Sequence, residues 1–362
     1  MLVVIVSEIY FILLLTGGLT FYFYKKRIYI QTSSLAIVMA LGIFTQGVFY
    51  YYLGMDYFTG FTGKLLSGIV LSLWMSFIIS ILASIRNRKF RELHLLNPLN
   101  RFGIGTWIAS SSLCGIIIHE QFSQITVPVV ILAIDSIVWM FYIGIIIPYF
   151  IKNKDQEVNG IILLSTVSTQ SLVLLVHSVY QGADTIFYFW FITAGILFYF
   201  ICLLFILKRY IFNKWSIVHD WKNSNCILHG ALSITGVASV STGIMPSILV
   251  QALWTAATLI FILVESIEIA RLVKRVSLFG FREGMWTYHV TQWSRIFTFA
   301  MYFTFTLLME PQGPFIESAR NFAAAAGIWV VISVTFIQTA IWFTSFRYIS
   351  RAHEQKRKSR IA

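Results

Sequence analysis

The chain has 362 residues, 58% of them hydrophobic and 12% charged, with a mean hydropathy of +0.78. Soluble domains carry roughly 25% charged residues, so composition excludes a soluble enzyme or binding module and points to an all-α integral membrane protein with several spans. The net charge of +12 does not indicate nucleic acid, because the basic residues gather in every second loop, as the positive-inside rule describes.

In chain order, the first apolar run is Leu2 to Tyr24, followed by Lys25, Lys26 and Arg27. A cleaved signal peptide carries its charge on the other side, so the expectation is a retained helix with its N-terminus outside. Glu8 is placed either near the outer interface or against another helix. The second run is Ser33 to Gly54. The third, Leu65 to Ile85, precedes the strongest basic loop, with Arg86, Arg88, Lys89 and Arg91. Asn100 to Ile118 is the fourth, and Val127 to Ile151 the fifth, before Lys152 and Lys154. Gly160 to His177, Ile186 to Leu207, Asn225 to Val240 and Ile248 to Ala270 follow. Met285 to Met309 is the tenth and Phe322 to Phe346 the eleventh. Basic and non-basic loops alternate throughout. The pattern predicts about eleven helices in a plasma membrane, with the N-terminus outside and the C-terminus cytoplasmic. Cys114, Cys202 and Cys226 lie in or beside apolar runs and suggest neither a disulfide framework nor a metal site; no cofactor is expected.

The even-numbered runs are rich in small and hydroxylated residues. The second has Gly42, Thr45, Gln46 and Gly47; the fourth has Gly103, Gly105, Thr106, Ser110, Ser111, Ser112 and Gly115. The sixth has Ser165, Thr166, Ser168, Thr169, Gln170 and Ser171. The eighth has His229, Gly230, Ser233, Thr235 and Gly236, and the tenth Thr287, His289, Thr291, Gln292, Ser294 and Thr298. Gly42, Gly105, Ser168, Gly230 and Gln292 recur at roughly 62 residues, the kind of period that marks repeated supersecondary units. The odd-numbered partners, above all the fifth and seventh, are bulkier. Five hairpins follow from this: the small, polar helices face a common axis and the bulky ones face lipid. Tight helix packing is the competing use of small residues in a membrane.

At this level the chain resembles the tellurite-resistance and dicarboxylate transporter family, which includes the plant slow anion channels. The stretches that carry the resemblance are SSLAIVMALGIFTQ (33–46), FGIGTWIASSSLCG (102–115), NGIILLSTVSTQSLVLL (159–175), NCILHGALSITG (225–236) and REGMWTYHV (282–290). The resemblance implies five helical hairpins around a central pore, often as a homotrimer, and small anions as cargo. It divides the chain into an extra N-terminal helix and loop (1–32), a ten-helix transport domain (33–349) and a basic cytoplasmic tail (350–362). Aligned on Trp286, the family's gating aromatic and the proline after it fall on Val290 and Thr291, a departure from the family pattern.

Candidate site residues follow. Arg295, about ten residues into the tenth run, is placed roughly 15 Å deep, near the bilayer midplane. Gly284, Tyr288, Thr291, Arg295 and Thr298 would form one helical stripe. Arg295 is read either as a fixed cation that draws an anion inward or as the partner of Asp135 or Glu265. His229 and His289 are placed on pore helices, whereas His119 and His177 are placed at solvated outer ends. Glu265, Glu268 and Arg271 suggest an intrahelical pair. Ser165, Thr166, Ser168 and Thr169, with Ser233, Thr106 and Gln46, offer weak dipoles to a passing ion, or hydroxyls bonded back to their own helix. Three functions remain in view: an anion channel or carrier, a transport-inactive relative serving as receptor or assembly partner, and a membrane-embedded enzyme acting on lipid. The third lacks a paired-carboxylate or H-E-x-x-H signature, so no enzymatic activity is expected. Partners expected are small anions and membrane lipid.

Overall fold

The computed structural model describes residues 2–152 and 158–358, with side chains for 7–151 and 158–345. Lys154 and the end of the basic tail, 359–362, lie outside the described residues. The described residues form helices and connecting turns, without strands. The main helices are α1 (Leu2–Lys26), α2 (Thr32–Leu53), α3 (Phe61–Arg86), α4 (Pro98–Phe122), α5 (Thr126–Lys152) and α6 (Gly160–Val179). They continue with α7 (Thr185–Phe212), α8 (Ile227–Thr242), α9 (Ser247–Met285), α10 (Gln292–Leu308) and α11 (Pro314–Lys358). Nine helices among the described residues are long and apolar enough to cross a membrane. The other two, α8 and α10, have 16 and 17 residues.

The even-numbered helices form a closed ring. Helix α2 packs on α4, α4 on α6, α6 on α8, α8 on α10, and α10 back on α2. The odd-numbered helices sit outside it. Helix α3 lies against α2 and α4, α5 against α4 and α6, α7 against α6 and α8, and α9 against α8 and α10; α11 packs on α10. In the most apolar stretch of each helix, 78% of α4 and 83% of α6 are buried, against 22% of α5 and 28% of α7. Ile137, Leu204, Leu259 and Phe336 are among the large apolar side chains that the outer helices leave exposed. That belt fits lipid, which solvates apolar side chains as protein does.

Small residues are what let the ring close. Gly160 sits so near the next repeat that a Cβ there would collide with the Ser224 carbonyl oxygen, and a Cβ at Gly236 would collide with the Phe305 ring. At the end bearing the basic loops, short polar side chains tie neighbouring repeats together. Asn159 Oδ1 accepts from Ser224 Oγ at 2.8 Å, and Asn225 Oδ1 accepts from the Gly160 amide at 2.8 Å. Thr32 Oγ1 meets His94 Nδ1 at 2.8 Å, while the Trp107 indole donates to the Thr32 carbonyl at 2.8 Å.

Helix α1 runs beside α3. A stripe on α3 spaced by four residues, Gly68, Ser72, Ser76 and Ser80, faces it. Ser72 and Ser76 donate to the carbonyls of Ile12 and Thr16, and Ser80 accepts from the Ile30 amide. This explains why the small/bulky contrast is blurred in the first hairpin: α3 spends one face on α1. Glu8 pairs with Lys64 at 3.1 Å, so it is both near the chain start and held by a neighbour.

The tenth run is corrected. Helix α9 is broken at Gly280, whose φ of 76° lies in the left-handed region that favours glycine. Residues 281–285 then fold back: Arg275 Nε donates to the Gly284 carbonyl at 3.1 Å and Arg275 Nη2 to the Glu283 carbonyl at 3.3 Å. Met285 therefore ends one helix, and α10 begins at Gln292. Arg295 lies in its first turn, not about ten residues into a helix, so the helical count that placed it near the bilayer midplane does not hold. Residues 284 to 298 form no single helical stripe.

Candidate functional site

The two ends of the ring carry different chemistry. At the basic end, α8, α9 and α10 enclose a compact charge cluster. Arg295 Nε lies 3.3 Å from Glu265 Oε2, and Arg295 Nη2 lies 3.2 Å from Glu268 Oε2. Glu268 also accepts from Arg271 at 3.0 Å, and Arg271 donates to Asn223 Oδ1 at 2.7 Å. Asn223 Nδ2 in turn donates to Thr291 Oγ1 at 3.3 Å. Two guanidinium groups thus face two carboxylates, and the cluster balances its own charge. Because Glu265 and Glu268 belong to an outer helix, Arg295 is directed between helices. Of the two expected ion-pair partners, Glu265 is the one found; Asp135 is buried elsewhere and accepts from Ser112 at 3.1 Å. The expected intrahelical pair between Glu268 and Arg271 is present, and Arg295 extends it into an interhelical network.

His229 is fully buried, with its ring edge-on to Phe261 and Nε2 3.8 Å from Glu265 Oε1. It too faces α9. His289 and Val290 lie in the non-helical link before α10, and Thr291 occupies the position just before that helix. His289 is exposed and meets Thr291 Oγ1 at 2.7 Å. Desolvation, then the positive charges of Arg271, Lys222 and Arg275, hold its pKa below the usual histidine value. The placement of His289 on a pore helix is therefore corrected to this basic-face link.

The hydroxyl series divides. Ser165, Ser168 and Thr169 donate to carbonyls three or four residues back on α6. Thr166 reaches outward to the Gly195 carbonyl at 3.0 Å, and Thr169 also accepts from the Trp139 indole. Ser233 and Thr106 bond back to His229 and Gly103. Except for Thr166, these hydroxyls satisfy themselves on their own helices. Gln46 differs, since its amide donates to the Leu113 carbonyl on α4 at 3.0 Å.

Gln46 also belongs to the second site. At the opposite end of the ring lies a cavity of about 230 Å³ to which all five inner helices contribute. Its mouth includes Tyr50, Glu120, His177, Gln181 and Ser241. One to two helical turns nearer the basic face its wall is apolar, with Ile43, Leu113, Val237 and Met301. Glu120 Oε1 accepts from Ser178 Oγ at 3.4 Å, and the His177 ring stands edge-on to Tyr188. His177 lies at the end of α6 opposite the basic loops, as expected, and is half-buried in this wall. Composition alone gave no signal for this cavity. Glu120, His177 and Gln181 sit at helix ends where polar residues are ordinary, and only the closure of the ring brings them together.

No protein-family model matches the chain, and no curated protein matches it. Among the described residues no group of three or more His, Cys, Asp or Glu side chains is placed to hold a metal ion.

Proposed function

We propose that this multi-pass membrane protein moves a small anion, inorganic or a small carboxylate, along the axis of its five-helix ring. The observation that supports this most is the cavity, part polar and part apolar, to which each of the five inner helices of the closed ring contributes. A pore that must release its ion uses weak, multiple dipoles, and Gln46, Tyr50, Gln181, Ser241 and Thr304 offer that kind of contact. The anion assignment rests on the five stretches that resemble the tellurite-resistance and dicarboxylate transporters and on their order. In this reading the vestibule faces outside and the basic loops face the cytoplasm of a cell with the protein in its plasma membrane.

The apolar layer of Ile43, Leu113, Val237 and Met301 then closes the path below the vestibule, and Arg295 serves the ring's architecture rather than the ion. The same layer is the observation that favours the second reading, a transport-inactive receptor or assembly partner, whose vestibule would bind a ligand without passing it. Anion flux into liposomes containing purified protein separates the two. Leu113→Ala and Met301→Ala should raise flux above wild type. Absence of flux in all three proteins, each verified as folded, would favour the receptor.

A further inference from the structure

A second cavity lies far from the ring axis. It is a groove of about 720 Å³ between α1 and α3 at the basic end. Its lower rim carries Lys25, Arg27 and Lys89, and no carboxylate lines it. Phe23 on α1 and Ile79 and Ala83 on α3 give it an apolar lining, interspersed with Thr20, Ser76 and Ser80. Lys89 Nζ stands 5.4 Å from the centre of the Tyr29 ring, which holds that charge at the groove. Arg27, just after α1, adopts a positive φ of 52°, so the chain turns sharply at this rim.

From this arrangement we infer that the α1–α3 groove is a binding site for an anionic phospholipid. Its headgroup phosphate would sit among Lys25, Arg27 and Lys89, with an acyl chain against Phe23 and Ile79. Three cations without a counter-charge in the lining complement a phosphate, and the apolar side chains of Phe23, Ile79 and Ala83 in the same groove accommodate the chain that only a lipid carries. Basic pockets between helices on the cytoplasmic side recognise lipid headgroups in this way. The site is independent of the transport reading, because α1 stands outside the five-helix ring and packs on α3.

The test uses the full chain, purified and examined by native mass spectrometry with phosphatidylglycerol or phosphatidylcholine supplied at equal concentration. Wild type should retain phosphatidylglycerol preferentially. Each cation contributes about fivefold near a membrane surface, so replacing Lys25, Arg27 and Lys89 by Gln together should weaken that retention on the order of a hundredfold. Replacing the exposed Lys208, Lys214 and Lys274 by Gln should leave it unchanged. Ile79→Trp, which blocks the chain wall and keeps every charge, should also reduce retention, and it guards against an altered insertion of the charge variant. Equal retention of both lipids, indifference to the groove substitutions, or displacement of the lipid by millimolar inorganic phosphate would overturn the proposal.

Discussion

The ring's two ends are made of the same five helices, yet one is locked and the other is open. At the basic end, Asn159, Asn225, Thr32 and His94 bridge neighbouring repeats, and Arg295 and Arg271 are held by Glu265 and Glu268. At the other end the helices part around a cavity, and the polar groups there are mostly not tied to one another. Charged groups removed from water are stable only with partners, so the basic end is a fixed frame. On the proposed reading, the vestibule is where a solute would meet groups that can exchange one partner for another. The presence of a charge therefore says little about function in this fold; what matters is whether its partners have already been supplied by the protein.

That contrast can be broken most forcefully at Arg295. Replacing it by Met strands two carboxylates beside a single remaining arginine, and a broken buried pair costs about 3–5 kcal/mol. Thermal unfolding in detergent should show a large loss of stability for Arg295→Met, partly recovered by adding Glu265→Gln. A fully stable Arg295→Met protein would mean that the cluster is not part of the frame.

Gly160→Ala comes next. The added methyl meets the Ser224 carbonyl oxygen, and overpacking of this kind costs about 1–3 kcal/mol. The same substitution at Gly144, on an outer helix with open space around it, should be close to neutral in the same unfolding assay.

The frame should also respond to pH through His94. This side chain is fully buried in the loop between α3 and α4, and burial pushes its pKa down to about 4 from the usual 6.5. The unfolded chain then binds the proton more readily than the folded one. Stability is fully present above about pH 6.5 and is lost as pH falls toward 4. Measured across that window, His94→Gln should show a shallower loss of stability than wild type.

The smallest effect is expected at the open end and bears on the sign of the cargo. Glu120 is an acid at the mouth of a site proposed for anions. Neutralising it should raise anion flux by about fivefold at most, the scale of a single exposed charge at contact distance. A fall in anion flux for Glu120→Gln would argue for cationic cargo or a proton-coupled step.

Much of the fold was legible because the bilayer imposes a simple rule: helices that face lipid are bulky, and helices that face helices are small. Hence Ser165 to Ser171 announced α6 as an inner helix, and the fifth and seventh runs announced outer ones. The tenth run went wrong for a local reason. Met285 to Thr291 carries no Asp, Glu, Lys or Arg and so joins the apolar run that follows it, and the pattern does not register that Gly280 and Arg275 have already turned the chain back. The depth of Arg295 inherited that error. The serine stripe on α3 was readable as an i, i+4 pattern, but its partner α1 could not be known before the two helices were seen together. The vestibule had still less signal, because it belongs to five helix ends distant in the chain.

The most direct test of an axial pathway is to block it from the open end. Cys114, Cys202 and Cys226 are all buried, so a membrane-impermeant thiol reagent should leave the native chain unaffected. Introduced as Ser241→Cys at the vestibule, a thiol should react and abolish anion flux in liposomes. Leu204→Cys, on the exposed face of α7, should leave flux intact. Unchanged flux through Ser241→Cys after verified labelling would contradict transport along the ring axis.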